Sequence, residues 1–295
     1  MDDNKVILNK YKFYELVQKP SSADLEEYYA KKYYQTNQGS YEIDYSEEEL
    51  LYFKNKIEQK YWIINELLKS SSSKSKSLLD IGCGEGFTLD FFKKKEWQIV
   101  GMDYSDFGCK KCNPNCVPSL LIGDIYQEML PLISSNKKFD VVWLDNILEH
   151  VLDPLYLLKE CKKLLNINGV LVIEVPNDFS VLQKYLMDKK NIDSEFWVAI
   201  PDHISYFNAE GLTAIAAESG LKNQITMADY PIDFNLVNPD TNYNKDKTKG
   251  KNAHKSRIEI DNLMHSISIE KTVNYFKALA DLGLGRQIIA FLKHA

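Results

Sequence analysis

A glycine-rich turn directly after a short apolar segment is the feature of this sequence that most clearly indicates ligand binding. Residues 77–81 are mostly apolar and contain one acid, Asp80, and Gly82, Gly84 and Gly86 follow at alternate positions. Glycine accepts positive backbone φ angles and lets a ligand approach the main chain closely. In an open parallel sheet, ligands bind beyond the carboxyl ends of the strands. The segment therefore predicts a site for a nucleotide-like ligand.

The spacing of the glycines distinguishes between nucleotide ligands. A dinucleotide-binding turn has the pattern G-x-G-x-x-G, which would require glycine at the position of Phe87. The observed pattern is G-x-G-x-G, and Asp80, two residues before it, can accept hydrogen bonds from a cationic amino group. A tight strand-to-helix turn that binds nothing is the alternative interpretation of the glycines alone.

Two further acids follow the next two apolar runs. Asp103 ends the run 98–102, where a carboxylate can accept hydrogen bonds from both hydroxyls of a ribose. Asp124 closely follows the run 120–122 and can accept from an adenine amino group. Together with Asp80, these acids predict a site for an adenosine that carries an ammonium-bearing tail.

With these motifs, the sequence resembles the class I S-adenosylmethionine-dependent methyltransferases, over about residues 78–221. The segments that carry the resemblance are Asp80–Gly86 (DIGCGEG), Gly101–Ser105, Gly123–Ile125, Phe139–Val142, Leu148–Pro154 and Leu164–Val175. The resemblance implies S-adenosylmethionine as the cofactor. The cofactor-binding residues that we predict are Asp80, Gly82, Cys83, Gly84, Asp103, Tyr104, Asp124, Ile125 and Asp145.

Two histidines are the candidates for catalysis. Methyl transfer needs mainly an aligned nucleophile, because the sulfonium is already activated, and a general base helps when the acceptor is a hydroxyl. His150 follows the fourth predicted strand. His203 lies in the segment 201–207 (PDHISYF), which resembles a segment of sugar and quinone methyltransferases. Either imidazole could serve as the base near neutral pH, and we place His203 first. The alternative is that each histidine holds a loop in place.

The sequence favours a reaction without a metal. Some quinone-directed relatives bind a divalent ion with glutamates before a Glu-His-Val segment, and here Asn146 stands where a glutamate is expected. Cys109, Cys112 and Cys116 are spaced closely enough to bind zinc, but zinc requires a fourth ligand, and the neighbouring sequence offers no convincing one. We therefore predict no metal and ordinary reduced thiols.

Two further segments could contribute to the binding of the substrate or the cofactor. The basic residues between positions 245 and 257 are either a solvated loop or a recognition surface for an anionic substrate, such as a phosphate or a nucleotide-linked sugar. They are Lys245, Lys247, Lys249, Lys251, Lys255 and Arg257. The tyrosine-rich segment 27–34 either closes over the cofactor or packs its aromatic rings within its own helix.

The predicted function is methylation of a small molecule, at an oxygen atom of a sugar or nucleotide-linked sugar in surface-glycan (capsule or lipopolysaccharide) biosynthesis. This substrate is implied by the resemblance of residues 202–207 and of the C-terminal region. One alternative is methylation of another phosphorylated capsule precursor, such as a phosphoramidate. The other is a non-catalytic, cofactor-binding partner or regulatory protein.

These residues require an α/β scaffold to position them. Short apolar runs that alternate with helix-like segments are typical of βαβ units and a parallel sheet. The predicted strands are 77–81, 98–102, 120–122, 139–144 and 170–175, and the predicted helices among them are 87–95, 154–165 and 209–219. The family resemblance implies a Rossmann-like, mostly parallel sheet of seven strands flanked by helices, with one antiparallel strand near the edge.

The sequence outside this region predicts a two-part organisation. Residues 1–69 are expected to form an N-terminal helical cap segment that includes a helix from Ser46 to Leu68, and the polar run 70–76 is expected to be a linker. The methyltransferase domain then spans 70–295 with a C-terminal extension. In that extension we predict an exposed loop over 240–257, followed by helical segments and a final apolar run.

Composition narrows the classes of partner. The net charge of -6 argues against a general nucleic-acid-binding protein. Apolar runs are much shorter than the roughly 20 residues that span a bilayer, and the N-terminus lacks the apolar stretch of a signal peptide. We therefore expect a cytoplasmic protein with a small-molecule partner and neither a membrane nor a nucleic-acid partner. The sequence does not determine the oligomeric state.

Overall fold

The computed structural model describes residues 5–21, 23–25, 28, 44–69 and 76–295. Residues 70–75 of the predicted linker lie outside this part of the chain, as does most of the tyrosine-rich segment 27–34. The interpretations of these two segments therefore stay predictions.

The strands form one large sheet and one small sheet. In chain order they are β1 Val6–Leu8, β2 Tyr14–Leu16, β3 Ser77–Ile81, β4 Gln98–Asp103, β5 Leu120–Ile122, β6 Phe139–Asp145, β7 Leu165–Pro176, β8 Ser205–Tyr206, β9 Leu221–Ala228 and β10 Gln287–His294. The large sheet has seven strands in the order β5-β4-β3-β6-β7-β10-β9. The first five strands in this order are parallel, and β10 is antiparallel to both of its neighbours. The predicted Rossmann-like fold is confirmed.

Helices cover both faces of the large sheet. They are α1 Glu47–Leu68, α2 Phe87–Lys94, α3 Phe107–Cys112, α4 Ile125–Ser134, α5 Pro154–Leu164, α6 Val181–Asp188, α7 Ala209–Glu218, α8 Gly250–Ile267 and α9 Ile269–Asp281. Side chains of α4, α5 and α7 form a core with one face of the sheet. Side chains of α1, α2, α8 and α9 form a second core on the other face. Two apolar layers of this kind are how a parallel sheet keeps both faces dry.

Helix α1 confirms the predicted helix that starts at Ser46. The Ser46 side chain accepts from the backbone N–H of Glu49, and the Glu49 side chain accepts from the backbone N–H of Ser46, which forms a capping box. Ile63 and Ile64 are fully buried against the central strands. Helix α1 therefore shares its core with the large sheet. The proposed division between residues 69 and 70 stays a prediction.

The first residues of the described chain form strands within the segment that the sequence predicts to be mostly helical. Strands β1 and β2 form an antiparallel hairpin, and β2 pairs with β8. Phe13 is buried and its ring lies 4.4 Å from that of Phe207. These two strands were not predicted, because strands of three residues are too short to show an alternating pattern.

Helix α8 corrects the predicted exposed loop over 240–257. The helix begins at Gly250, and Ala253 and Ile258 are buried on its inner face. The exposed face is rich in lysine, which made the segment look polar throughout. A helix with a charged outer face still forms when its few apolar residues meet a core.

Candidate active site

The glycine turn joins β3 to α2 in a conformation that depends on glycine. Gly82, Gly84 and Gly86 have φ angles of 76°, 51° and 75°. A Cβ atom on Gly82 would lie 2.0 Å from Cδ1 of Ile147. The backbone N–H groups of Gly82 and Cys83 donate to the carbonyl of Met102 at 2.8 and 3.0 Å, which fixes the turn against β4. Position 82 therefore requires glycine, because the Ile147 side chain packs directly against the main chain there.

Asp80 lies in β3 beneath this turn and is 3% exposed. Burial, followed by the negative charges of Asp145 and Asp103, raises the pKa of Asp80 well above its usual range, and Lys60 opposes this shift. A ligand ammonium group beside Asp80 would favour the charged carboxylate. The environment suits the amino group of an amino-acid tail.

Asp103, at the end of β4, is tied to the glycine turn. Its Oδ2 accepts from the backbone N–H of Gly84 at 2.8 Å, and its Oδ1 accepts from that of Ser105 at 3.1 Å. Burial raises the pKa of Asp103, and these hydrogen bonds lower it. Each carboxylate oxygen can accept more than one hydrogen bond. Asp103 can therefore receive ribose hydroxyls while it holds the loop.

Asp124, beyond the end of β5, combines two contacts that sequence analysis did not predict. Its Oδ1 caps α4 by accepting from the backbone N–H groups of Tyr126 and Gln127, both at 3.0 Å. Its Oδ2 accepts from the Tyr104 hydroxyl at 2.7 Å. The structure thus brings Tyr104, Asp124 and the adjacent, buried Ile125 together. Their roles as cofactor ligands stay predictions.

A cleft of about 410 Å³ opens beyond the carboxyl ends of β3, β6 and β7. Of the predicted cofactor residues, Asp80, Gly82, Cys83 and Asp145 line it. Gly84, Asp103, Tyr104, Asp124 and Ile125 instead lie along the adjoining ends of β4 and β5. Helices α1 and α8 form the opposite wall.

A buried ionic network at the base of the cleft was not predicted from the sequence. Lys56 and Lys60, one turn apart on α1, both pair with Glu174 of β7, and Nζ of Lys60 also lies 2.8 Å from Asp145. Lys60 and Glu174 are each 2% exposed. Burial alone would raise the pKa of Glu174, but the two lysines outweigh it and lower the pKa to about 2. The network therefore carries full charges inside the protein.

The two candidate histidines lie next to each other. Their ring centroids are 4.9 Å apart, and the two ring planes are nearly perpendicular. Nδ1 of His150 is 2.6 Å from the carbonyl oxygen of Asp202. Neither His150 nor His203 is among the residues that line the cleft.

Glu149 is buried, with Oε1 3.7 Å from Nε2 of His150. Burial raises the pKa of Glu149 well above its usual range, and Asp145 and Glu174 of the cleft add to this effect.

Glu149, His150 and His203 are close enough together to bind one metal ion. One candidate ligand atom each from Glu149, His150 and His203 lies within 4.8 Å of the other two. Cys109 and Cys116 are buried, and among the described residues neither belongs to a group of three potential metal ligands that lie this close together. Burial raises the pKa of the Cys109 thiol to about 11, which makes it a poor metal ligand or nucleophile near neutral pH.

Arg257 is the residue of the predicted basic cluster that lines the cleft. Three lysines of the cluster pair with acids outside the cleft lining. The ion pairs that these lysines form are Lys245 with Asp193, Lys249 with Asp246 and Lys255 with Glu259. The interpretation of the whole segment as a solvated loop was therefore wrong at Arg257.

Comparison with known proteins identifies the family. A family model described as "Methyltransferase domain" matches residues 57–224, more than half of the 295-residue chain. This chain belongs to the methyltransferase-domain family. The methyltransferase is 30% identical over 125 residues to a ubiquinone biosynthesis O-methyltransferase from Actinobacillus pleuropneumoniae, which covers 40% of the chain and 53% of that relative.

Other matches are consistent with this assignment. A ubiquinone biosynthesis O-methyltransferase from Pelagibacter ubique is 33% identical over 104 residues, covering 35% of the methyltransferase and 43% of the relative. The chain thus spans about half the length of the curated relatives it matches. A crystal structure of a proposed sarcosine dimethylglycine methyltransferase from Galdieria sulphuraria has a TM-score of 0.50 at 15% identity, covering 91% of this chain and 97% of the other, and supports the fold alone.

The comparisons confirm the predicted class I S-adenosylmethionine-dependent methyltransferase and its cofactor. They carry no evidence for a sugar or capsule substrate, so that part stays a prediction. Among the helices of the described residues, none is long and apolar enough to cross a membrane.

Proposed function

We propose that this methyltransferase transfers the methyl group of S-adenosylmethionine to an oxygen atom of a small hydroxylated acceptor. The observation that carries the proposal is the placement of Asp80, Asp103 and Asp124 at the ends of three adjacent parallel strands, beside a cleft. Neighbouring strands lie about 4.8 Å apart, so these ends cover about 10 Å. This span suits a ribose in the middle, an adenine on one side and an amino-acid tail on the other.

The cofactor then has a definite direction along the sheet. Asp124 receives the adenine, Asp103 the ribose hydroxyls and Asp80 the ammonium group. The sulfonium is thereby directed toward the ends of β6 and β7, where the cleft lies. An acceptor in the cleft would meet the methyl group on the side away from the adenosine, which allows the in-line approach that the reaction requires.

The acceptor that we favour is a sugar or nucleotide-linked sugar, with another phosphorylated glycan precursor, such as a phosphoramidate, as the alternative. A second candidate function is methylation of a phenolic oxygen, favoured by relatives that are named as O-methyltransferases of ubiquinone biosynthesis. His203 serves as general base for a hydroxyl acceptor, with His150 as the second candidate. A cofactor-binding partner without turnover is the non-enzymatic alternative.

The direct test is a calorimetric titration with S-adenosylmethionine, followed by an acceptor screen. The screen compares nucleotide-linked sugars, phosphorylated glycan precursors and catechols, and detects S-adenosylhomocysteine as the common product. We expect cofactor binding and turnover with an acceptor of one class. Cofactor binding without turnover on any of the three classes would favour the non-enzymatic alternative.

Replacing Asp103 by alanine is expected to weaken cofactor binding roughly ten- to a hundredfold, because hydrogen bonds to a charged group are worth about 1.5–3 kcal/mol. Calorimetry on the folded variant measures this effect. Asp106→Ala is the matched control, because that acid pairs with Lys110 on the surface of α3. Asp103→Asn keeps an oxygen that can accept from the Gly84 N–H, so its cofactor affinity should lie between those of Asp103→Ala and Asp106→Ala. Unchanged affinity in folded Asp103→Ala would exclude this role.

Activity is expected to survive exhaustive chelation, because Asn146 occupies the position where quinone-directed relatives place a metal-binding glutamate. The measurement compares initial rates before and after treatment with a chelator and gel filtration. Loss of activity that one divalent cation restores would contradict this prediction. Glu149, His150 and His203 would then be the first ligands to test.

A further inference from the structure

Arg257 is distinguished from the other cations of the cleft by its contacts. The chain has two arginines, and the other, Arg286, forms an ion pair with Asp178 at 3.1 Å. Within the described residues, Arg257 forms no ion pair, and its buried Nε has no hydrogen-bond partner. Lys56 and Lys60, the other cations that line the cleft, are paired with carboxylates. Arg257 is therefore the cleft cation whose charge is not matched by a contacting carboxylate.

Its neighbours hold the guanidinium in place without neutralising it. The central carbon of the guanidinium lies 5.5 Å from the centre of the Tyr52 ring, and Nη2 lies 2.7 Å from Nδ1 of His254. Burial, followed by the charge of Arg257, lowers the pKa of His254, so this imidazole is neutral at neutral pH and accepts the hydrogen bond. The side chain is thus oriented while it keeps both its charge and further N–H donors.

Asp229, which lines the cleft together with Arg257, is engaged by other groups, among them Lys56, whose Nζ lies 3.9 Å from its Oδ2. Oδ1 of Asp229, which follows β9, accepts from the backbone N–H groups of Arg286 and Gln287 at 2.8 and 2.7 Å. Burial raises the pKa of Asp229 to about 6, while Lys56 and Arg257 oppose this shift. Asp229 therefore influences Arg257 through space and does not form an ion pair with it.

Arg257 lines the cleft together with Asp229, which follows β9, and Gln287, the first residue of β10. Asp80 lies in β3, and β6 and β7 stand between β3 and β10. Three strand spacings amount to about 14 Å. A cofactor that extends from Asp124 through Asp103 to Asp80 ends before the β9 and β10 side of the cleft, so Arg257 faces the space left for the acceptor.

We propose that Arg257 binds an anionic group of the acceptor, either a phosphate or a carboxylate. The inference rests on the proposed function, because it assumes that the cofactor occupies the β3 to β5 side. A guanidinium presents N–H groups in a planar fork that matches two oxygens of either anion, and a half-buried site strengthens that contact. Arg257 thereby determines which acceptors enter the cleft and fixes their register relative to the methyl group.

The test uses the complete chain saturated with S-adenosylhomocysteine and two anionic probes. Pyrophosphate represents the phosphate source, and 3,4-dihydroxybenzoate represents the carboxylate source. Ligand-observed NMR measures the affinity of each probe for wild type, Arg257→Gln, Arg257→Lys and the control Lys255→Gln, an exposed cation on the same helix. Calorimetry measures the affinity of each protein for S-adenosylhomocysteine, and melting temperatures verify folding.

We expect Arg257→Gln to weaken the binding of one probe at least about tenfold, the loss for one charged hydrogen-bonded contact. The probe affinity of Arg257→Lys should lie between those of wild type and Arg257→Gln, and that of Lys255→Gln should equal the wild-type value. The affinity of every variant for S-adenosylhomocysteine should stay within about twofold of wild type. Equal probe binding by Arg257→Gln and wild type, or no binding of either probe to wild type, overturns the inference.

Two further outcomes separate this inference from the proposed function. If Arg257→Gln also loses affinity for S-adenosylhomocysteine, Arg257 belongs to the cofactor site and the inference is wrong, while the proposed function stands. If wild type does not bind S-adenosylhomocysteine, the proposed function itself is wrong.

Discussion

Replacing His203 by asparagine is expected to lower turnover about 10²–10⁴-fold and to leave cofactor affinity nearly unchanged. A general base contributes a factor of this size to methyl transfer onto a hydroxyl acceptor. His203 contacts His150 edge to face, and Oε1 of Glu149 lies 3.7 Å from Nε2 of His150. Steady-state kcat with the acceptor from the screen, together with the calorimetric affinity for S-adenosylmethionine, measures the effect. The wild-type rate should also fall on the acid side as the imidazole gains a proton.

A structural histidine would give a different pattern from a base. Loss of activity would then follow a fall in melting temperature, and the acid side of the rate profile would keep its shape. His294→Asn is the control, because this histidine ends β10 beside Leu165, the first residue of β7, and thus lies at the end of the sheet opposite the cleft. A stable His203→Asn with near-wild-type kcat would show that His203 is not the base. His150→Asn would then be tested next.

Replacing Lys60 by methionine is expected to reduce the free energy of unfolding by about 3–5 kcal/mol at neutral pH, because it removes one of the two cations that pair with the buried Glu174 carboxylate. Lys60 is 2% exposed and pairs with both Glu174 and Asp145. Methionine keeps much of its length above the Trp143 ring, which lies 4.8 Å from Nζ. Urea denaturation followed by circular dichroism measures the change, a large fraction of the stability of an ordinary domain.

The pH dependence of this loss follows from Glu174. Its pKa in the folded protein is lowered to about 2, against about 4.3 in an unfolded chain. A lowered pKa stabilises the fold above the unfolded value, and this stabilisation disappears as the pH falls toward the folded value. The difference between wild type and Lys60→Met should therefore shrink below about pH 4.

Two variants examine the cause of the loss. Lys54→Met removes an exposed cation from the same helix and should change stability little. Adding Glu174→Gln to Lys60→Met removes one of the unbalanced carboxylates and should recover part of the loss. If Lys60→Met were as stable as Lys54→Met, the network would have no stabilising role.

The parallel strands could be predicted because burial on both faces leaves a run of apolar residues. Strand β6 has this pattern, since residues 139–144 are all buried, and its predicted bounds differ from the observed ones by one residue. Strand β9 was missed because it lies at the edge of the sheet and carries polar residues such as Lys222 and Gln224. An edge strand lacks a second buried face, so its sequence does not show the run.

The ionic network could not be predicted because its partners are remote in sequence. Lys56 is 118 residues from Glu174, and Lys60 is 85 residues from Asp145. Lysines one turn apart on a helix usually lie on its solvated face, and burial became visible only when α1 was placed against β7. The acids at the strand ends, by contrast, could be predicted, because the carboxyl ends of parallel strands share one edge of the sheet.

The position of β10 has a consequence for how the protein is made. In the large sheet, β9 hydrogen-bonds only to β10, which is also the strand that joins it to β7. Residues up to 286 therefore leave the ribosome before the sheet can be closed. The strands that hold the adenosine can assemble during synthesis, whereas β7 and β9 present open edges until the final strand is inserted. Such edges attract other chains, so the nascent protein is prone to aggregate until β10 has emerged and paired with β7 and β9.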